Sequence, residues 1–83
     1  MELPTIHLNG TSKERLIEAL CEASQAIELA YQATKQTGPN GRDYYTQGAV
    51  AMENAEREHR SRLERLDAVK DELDAMTLAI DKL

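Results

Sequence analysis

The sequence predicts an all-α fold: an antiparallel two-helix hairpin with an extended N-terminal arm, oligomerising into a helical bundle. Three observations predict it. Apolar residues recur at steps of three and four through two long segments, a proline- and glycine-rich stretch separates those segments, and the 83-residue chain has no Trp and no Phe. A domain of this length buries only about 60% of the surface its unfolded chain exposes. With one Cys and two His, neither an internal disulfide nor a closed zinc site can staple it. Sharing a core between copies is the remaining way to cover its apolar stripes.

The whole chain, 1–83, reads as one helical-hairpin domain. Residues 1–10 form the arm, since Pro4 and the turn pair Asn9-Gly10 disfavour a helix there. Leu3, Ile6 and Leu8 give the arm one apolar edge. The first helix is predicted over 11–37. It opens on a capping box in which Thr11 accepts from the third helical amide and Glu14 reaches back to the Thr11 amide. Its stripe is Leu16, Leu20, Ala23, Ile27 and Ala30, widened by Ile17 and Tyr31. Gly38, in a left-handed conformation, and Pro39 are predicted to end it. The loop is 38–48, GPNGRDYYTQG.

The second helix is predicted over 48–82. Its seam is Met52, Ala55, His59, Leu63, Leu66, Val69, Leu73, Met76, Ile80 and Leu83, close to the heptad period of a coiled coil. A short connection makes the helices antiparallel neighbours. The second helix is expected to outreach the first at its C-terminal end, where the arm would cover the overhang. Beside the seam run Ala68, Ala75, Leu78 and Ala79, an apolar strip that marks an interface if it lies open. Four arginines, Arg57, Arg60, Arg62 and Arg65, precede an acidic run of Asp67, Asp71, Glu72 and Asp74. Two antiparallel copies crossing near Leu66 would set Arg60 against Glu72 and Arg65 against Asp67.

The net charge of −5 argues against a nucleic-acid polymer as partner, because such binders carry a concentrated basic face. No apolar run approaches the roughly 20 residues that span a bilayer. The opening MELPTIHLNG lacks the basic start and apolar stretch of a signal peptide. The expected location is therefore the cytoplasm, with Cys21 reduced.

Candidate chemistry concentrates in the loop. Asn40, Arg42, Asp43, Tyr44 and Tyr45 place a guanidinium, a carboxylate and two phenols within six residues. Turn formation explains Pro39, Asn40 and Gly41 but not Arg42 or the paired tyrosines. Arginine grips phosphates bidentately and stacks on flat rings, and tyrosine offers a ring face and a hydroxyl. The set suits a small phosphate-bearing ligand such as a nucleotide, with Asn9 and Thr11 of a neighbouring copy as further contacts. The competing reading is structural, with Tyr44 anchored on Tyr31 or Met52 and Arg42 capping the first helix or pairing with Asp43.

A second constellation, Glu56-x-x-His59, has the carboxylate–imidazole spacing of ferritin-like bundles, and counting back through the loop sets Glu28 level with it. A dimer would then hold two metals, against the positive charge of Arg57, Arg60 and Arg62. His7 reads as an exposed arm histidine. No catalytic arrangement is visible: Cys21 has no nearby base, Ser12 and Ser24 have no obvious partner, and no P-loop is present. The expectation is a non-enzyme without a cofactor. The rival expectations are a protein-binding accessory and the di-metal dimer.

The combination IHLNGTS (6–12), PNGRDYY-x-QG (39–48) and REH (57–59) resembles small phage and prophage proteins. In architecture it is similar to the helical-hairpin sponges with which phages sequester nucleotide immune signals in CBASS and Thoeris defence. That resemblance implies a homo-oligomer with ligand pockets between subunits, in an infected or lysogenic bacterial host. No pocket residue can be matched position by position.

Overall fold

A computed structural model describes all 83 residues. The chain is all-helical, with α1 over Lys13–Lys35, a single turn α2 over Gly41–Tyr44, and α3 over Ala49–Asp81. No helix is long and apolar enough to cross a membrane.

The start of α1 lies two residues later than the sequence suggests. Ser12, in extended backbone, is the N-cap, and its hydroxyl accepts from the Arg15 amide at 3.2 Å. Thr11 and Ser12 compete for the same role. With Ser12 chosen, the third helical residue is Arg15 and the reciprocal carboxylate of a capping box is lost. α1 ends at Lys35 with Gln36 and Thr37 folding back as tight turns onto Ala33 and Thr34. Gly38 is not left-handed. Gly48 is the one residue with positive φ, at 96°, where it caps α3 without a side-chain bond. Only glycine enters that region at low cost.

α1 and α3 pack antiparallel along one seam. Ser24 Oγ donates to Asp74 at 2.5 Å, which makes residue 24 level with 74. At equal rise per residue, Glu28 is then level with Lys70 and Gly38 with Arg60. A close approach agrees: Gly38 lies over the His59 ring. The end of α1 is therefore level with Leu63. The first fourteen residues of α3 run on for about 20 Å past the end of α1. The overhang is at the N-terminal end of α3, the reverse of the sequence expectation. The C-terminus falls just short of the start of α1, so the arm has no overhang to cover. The cause is the segment 36–48, which travels outward alongside α3 instead of turning back at once, with α2 against α3 and out of contact with α1.

The covered line of α1 is Leu16, Ile17, Leu20, Ser24, Ile27, Tyr31 and Thr34. Ala23 and Ala30 are exposed. On α3 the seam holds Met52, Ala55, His59, Leu63, Leu66, Leu73, Met76 and Ile80, with Lys70 and Asp74 among them. Val69 (45% exposed) and Leu83 (57%) fall outside it. A line drawn at heptad spacing drifts by about 20° per heptad on a straight helix, which carries its members off the seam. Ala68, Ala75 and Leu78 are exposed, while Ala79 is half-buried. Arg60 and Arg65 border different grooves, so they do not share one straight contact line on a second α3.

Only Ile80 (1% exposed) and Ser24 (7%) are buried. The molecule measures 62 × 20 × 17 Å with a radius of gyration of 18.6 Å, against about 12 Å for a compact domain of this length.

Candidate functional site

The bend is built on Asn40. Its side chain accepts from the Arg42 amide at 2.9 Å and its carbonyl accepts from the Asp43 amide at 2.9 Å, which starts the single turn of α2. Asparagine does this because its short side chain mimics a backbone acceptor. The turn closes where the Gln47 amide donates to the Tyr44 carbonyl at 2.9 Å. Asn40 is thus a structural residue of the loop.

The turn leaves Arg42, Asp43 and Tyr45 in solvent. Tyr45 is 80% exposed and Tyr44 is half-buried. Arg42 makes no ion pair, either with adjacent Asp43 or with any other carboxylate, and its guanidinium caps no helix carbonyl. Within one chain these residues project from the surface and enclose no cavity. Asn9 and Thr11 border a shallow dent with Gly10, Ser12 and Arg15 at the far end of the molecule. A single copy cannot bring them to the bend. His7 is exposed, its ring lying over Gly10, where a Cβ would come within 2.8 Å of Nε2 and push the ring aside.

Beneath the bend, Gly38, Pro39, Glu56, His59, Arg60 and Leu63 line a groove of about 400 Å³. A Cβ on Gly38 would lie 3.2 Å from His59 Nε2, so the missing side chain allows the bend to sit down on the imidazole. His59 Nδ1 is buried and has no hydrogen-bond partner. The pair Glu56–His59 does share this groove. Glu28 does not: it lies at the level of Lys70, about 15 Å further along α3, and accepts from Gln32 at 3.0 Å. Counting back through the loop failed because segment 36–48 does not reverse symmetrically. No group of three His, Cys, Asp or Glu side chains is placed to hold a metal ion within the chain.

The polar cluster that sequence reasoning missed lies mid-seam. Asp74 accepts from Ser24 and, through Oδ2, from Lys70 Nζ at 2.9 Å. The Ser24 hydroxyl and then the Lys70 ammonium hold the Asp74 carboxyl below the ordinary carboxylate range. The same bond, with the Asp74 charge and lesser help from Glu28 and Asp71, holds Lys70 above its own. The signal was available: Ser24 is four residues after Leu20 and three before Ile27, on the line that Ala23 was expected to occupy.

Comparison with known protein families, curated proteins and solved structures gives no match.

Proposed function

We propose that this chain is a self-associating helical hairpin that binds and sequesters, without transforming, a small anionic ligand of the nucleotide class. One observation carries the binding half of this reading: Arg42 is held out from an ordered turn, beside a tyrosine in open solvent, with no carboxylate to neutralise it. A phosphate presented to that guanidinium gains a charge-assisted bond without first breaking an ion pair. The absence of a cavity around it is the reason for the other half, since walls contributed by a second copy would complete the pocket.

Surface area supports association. The chain exposes 6366 Å², where a compact monomer of 9.3 kDa exposes about 5,000 Å². The surplus of about 1,400 Å² exceeds the roughly 800 Å² per partner of a standard interface. A stoichiometric binder acts by lowering the free concentration of its ligand, the role that the architectural similarity to phage helical-hairpin sponges implies. A protein partner is the second reading, favoured by the exposed Val50 (68%) and Leu78 (65%).

Thermal-shift measurement against cyclic and ADP-ribose-type nucleotides tests the first reading. A nucleotide-dependent rise in melting temperature that disappears in Arg42→Ala is the expected result. A rise that survives that substitution removes the loop from the site. No response to any nucleotide, with a polypeptide co-purifying, favours the second.

A further inference from the structure

The two flanks of the α1–α3 seam differ in kind. Ser24, Asp74 and Lys70 mark one flank, where hydrogen bonds and charges close the gap between the helices. On the other flank a groove of about 350 Å³ runs between Thr34 of α1 and Arg62, Arg65, Leu66 and Val69 of α3. On that side of α1, Ala19, Ala23, Ala26, Ala30 and Ala33 follow one another at steps of four and three, and every one is exposed. At 3.6 residues per turn they form one continuous line beside the groove.

We propose that a second copy of this chain covers this flank, the two hairpins lying face to face and antiparallel about a two-fold axis at the level of Ala30 and Val69. The proposal rests on the self-association reading above and locates its interface. Alanine lines let two helix backbones approach at the near end of the usual 8–10 Å range. An axis midway between Ala26 and Ala33 sets those two alanines opposite each other's copies.

The charges choose this axis among those that the alanine line permits. Arg65 and Glu72 are two turns apart on the outward side of α3, exposed, and neither makes an ion pair. Their midpoint lies between residues 68 and 69. By the alignment that the Ser24–Asp74 bond defines, this is level with the midpoint of Ala26 and Ala33. One axis therefore sets Arg65 of each copy against Glu72 of the other, twice. A surface complementary to itself in this way is the mark of an isologous contact. Val69 sits almost on the axis, and its exposed area is covered by the same stroke.

Charge reversal tests the axis. Sedimentation at fixed ionic strength should show Arg65→Glu and Glu72→Arg each weakening the dimer about tenfold, because each turns two attractive rim pairs into like-charge pairs. The double variant should recover wild-type affinity. In a Cys21→Ser background, Ala30→Cys should oxidise to a disulfide-linked dimer, while Ala75→Cys, exposed on the far side of α3, should not. If the wild type sediments as a dimer but the double reversal stays weak, or Ala75→Cys cross-links in place of Ala30→Cys, this face is wrong and self-association stands. A wild type that is monomeric at all accessible concentrations overturns both.

Discussion

The half of the hairpin nearest the arm and the half nearest the bend use the same seam to different ends. In the arm half lie both buried residues, Ile80 and Ser24, together with the hydrogen-bonded Asp74 and Lys70. In the bend half no residue is buried. There α3 runs beyond its partner, a glycine rests on an imidazole, and Arg42 and Tyr45 stand in solvent. Stability is thus concentrated away from the bend, where the proposed ligand contacts lie. A loop that leaves its polar groups unpaired in solvent gains little packing, so the anchoring comes from elsewhere.

This contrast can be broken or sharpened by substitution, with stability compared at fixed protein concentration because association contributes to it. The largest effect is expected at Ile80. Ile80→Ala should lower the unfolding free energy by about 2–5 kcal/mol, whereas Leu63→Ala, half-exposed in the bend half, should cost clearly less. Equal losses in urea denaturation would erase the distinction between the halves. Next comes Gly48→Ala, which forces a side chain into a positive-φ backbone and should cost about 1–3 kcal/mol by thermal unfolding.

Acid should then probe the clamp. The Asp74 carboxyl is held low in the folded state, so its contribution is present above the unfolded value near pH 4 and is lost as pH falls through the folded value. Wild type should lose stability more steeply than Asp74→Asn below about pH 4, and Ser24→Ala should shrink the difference. Lys70, held high, contributes below the unfolded value near pH 10.4 and loses its contribution as pH rises beyond it. The smallest stability effect belongs to Arg42→Ala, within about 0.5 kcal/mol of wild type, although it should abolish any nucleotide-dependent shift.

The helices were legible in the sequence because their apolar spacing repeats over many turns, and most of the α3 seam was readable for that reason. Alignment was not legible. The one side-chain hydrogen bond between the long helices joins a serine and an aspartate fifty residues apart, and no periodicity relates them. Reading Ala23 into the α1 stripe in place of Ser24 misplaced that one position by about a quarter turn, while Leu16, Leu20, Ile27 and Tyr31 kept the face. The metal alternative through Glu28 followed from assuming that a loop reverses at its midpoint. Of the candidate site, the residue types at the bend were visible, while Asn40 capping α2 and the glycine-on-histidine contact under Pro39 needed coordinates.

The Ser24–Asp74 bond has a consequence for how this chain can vary. Sliding α1 past α3 by one turn would exchange apolar neighbours along the seam and break the Ser24–Asp74 bond, while Asp74 keeps Lys70 on its own helix. The alignment is therefore held inside the seam, by this bond and by the packing around Ile80, and the connection between the helices does not have to set it. Extra residues inserted between Gln36 and Gly48 should bulge outward without shifting the helices, which leaves the bend free to change its length and chemistry while the stem stays as it is.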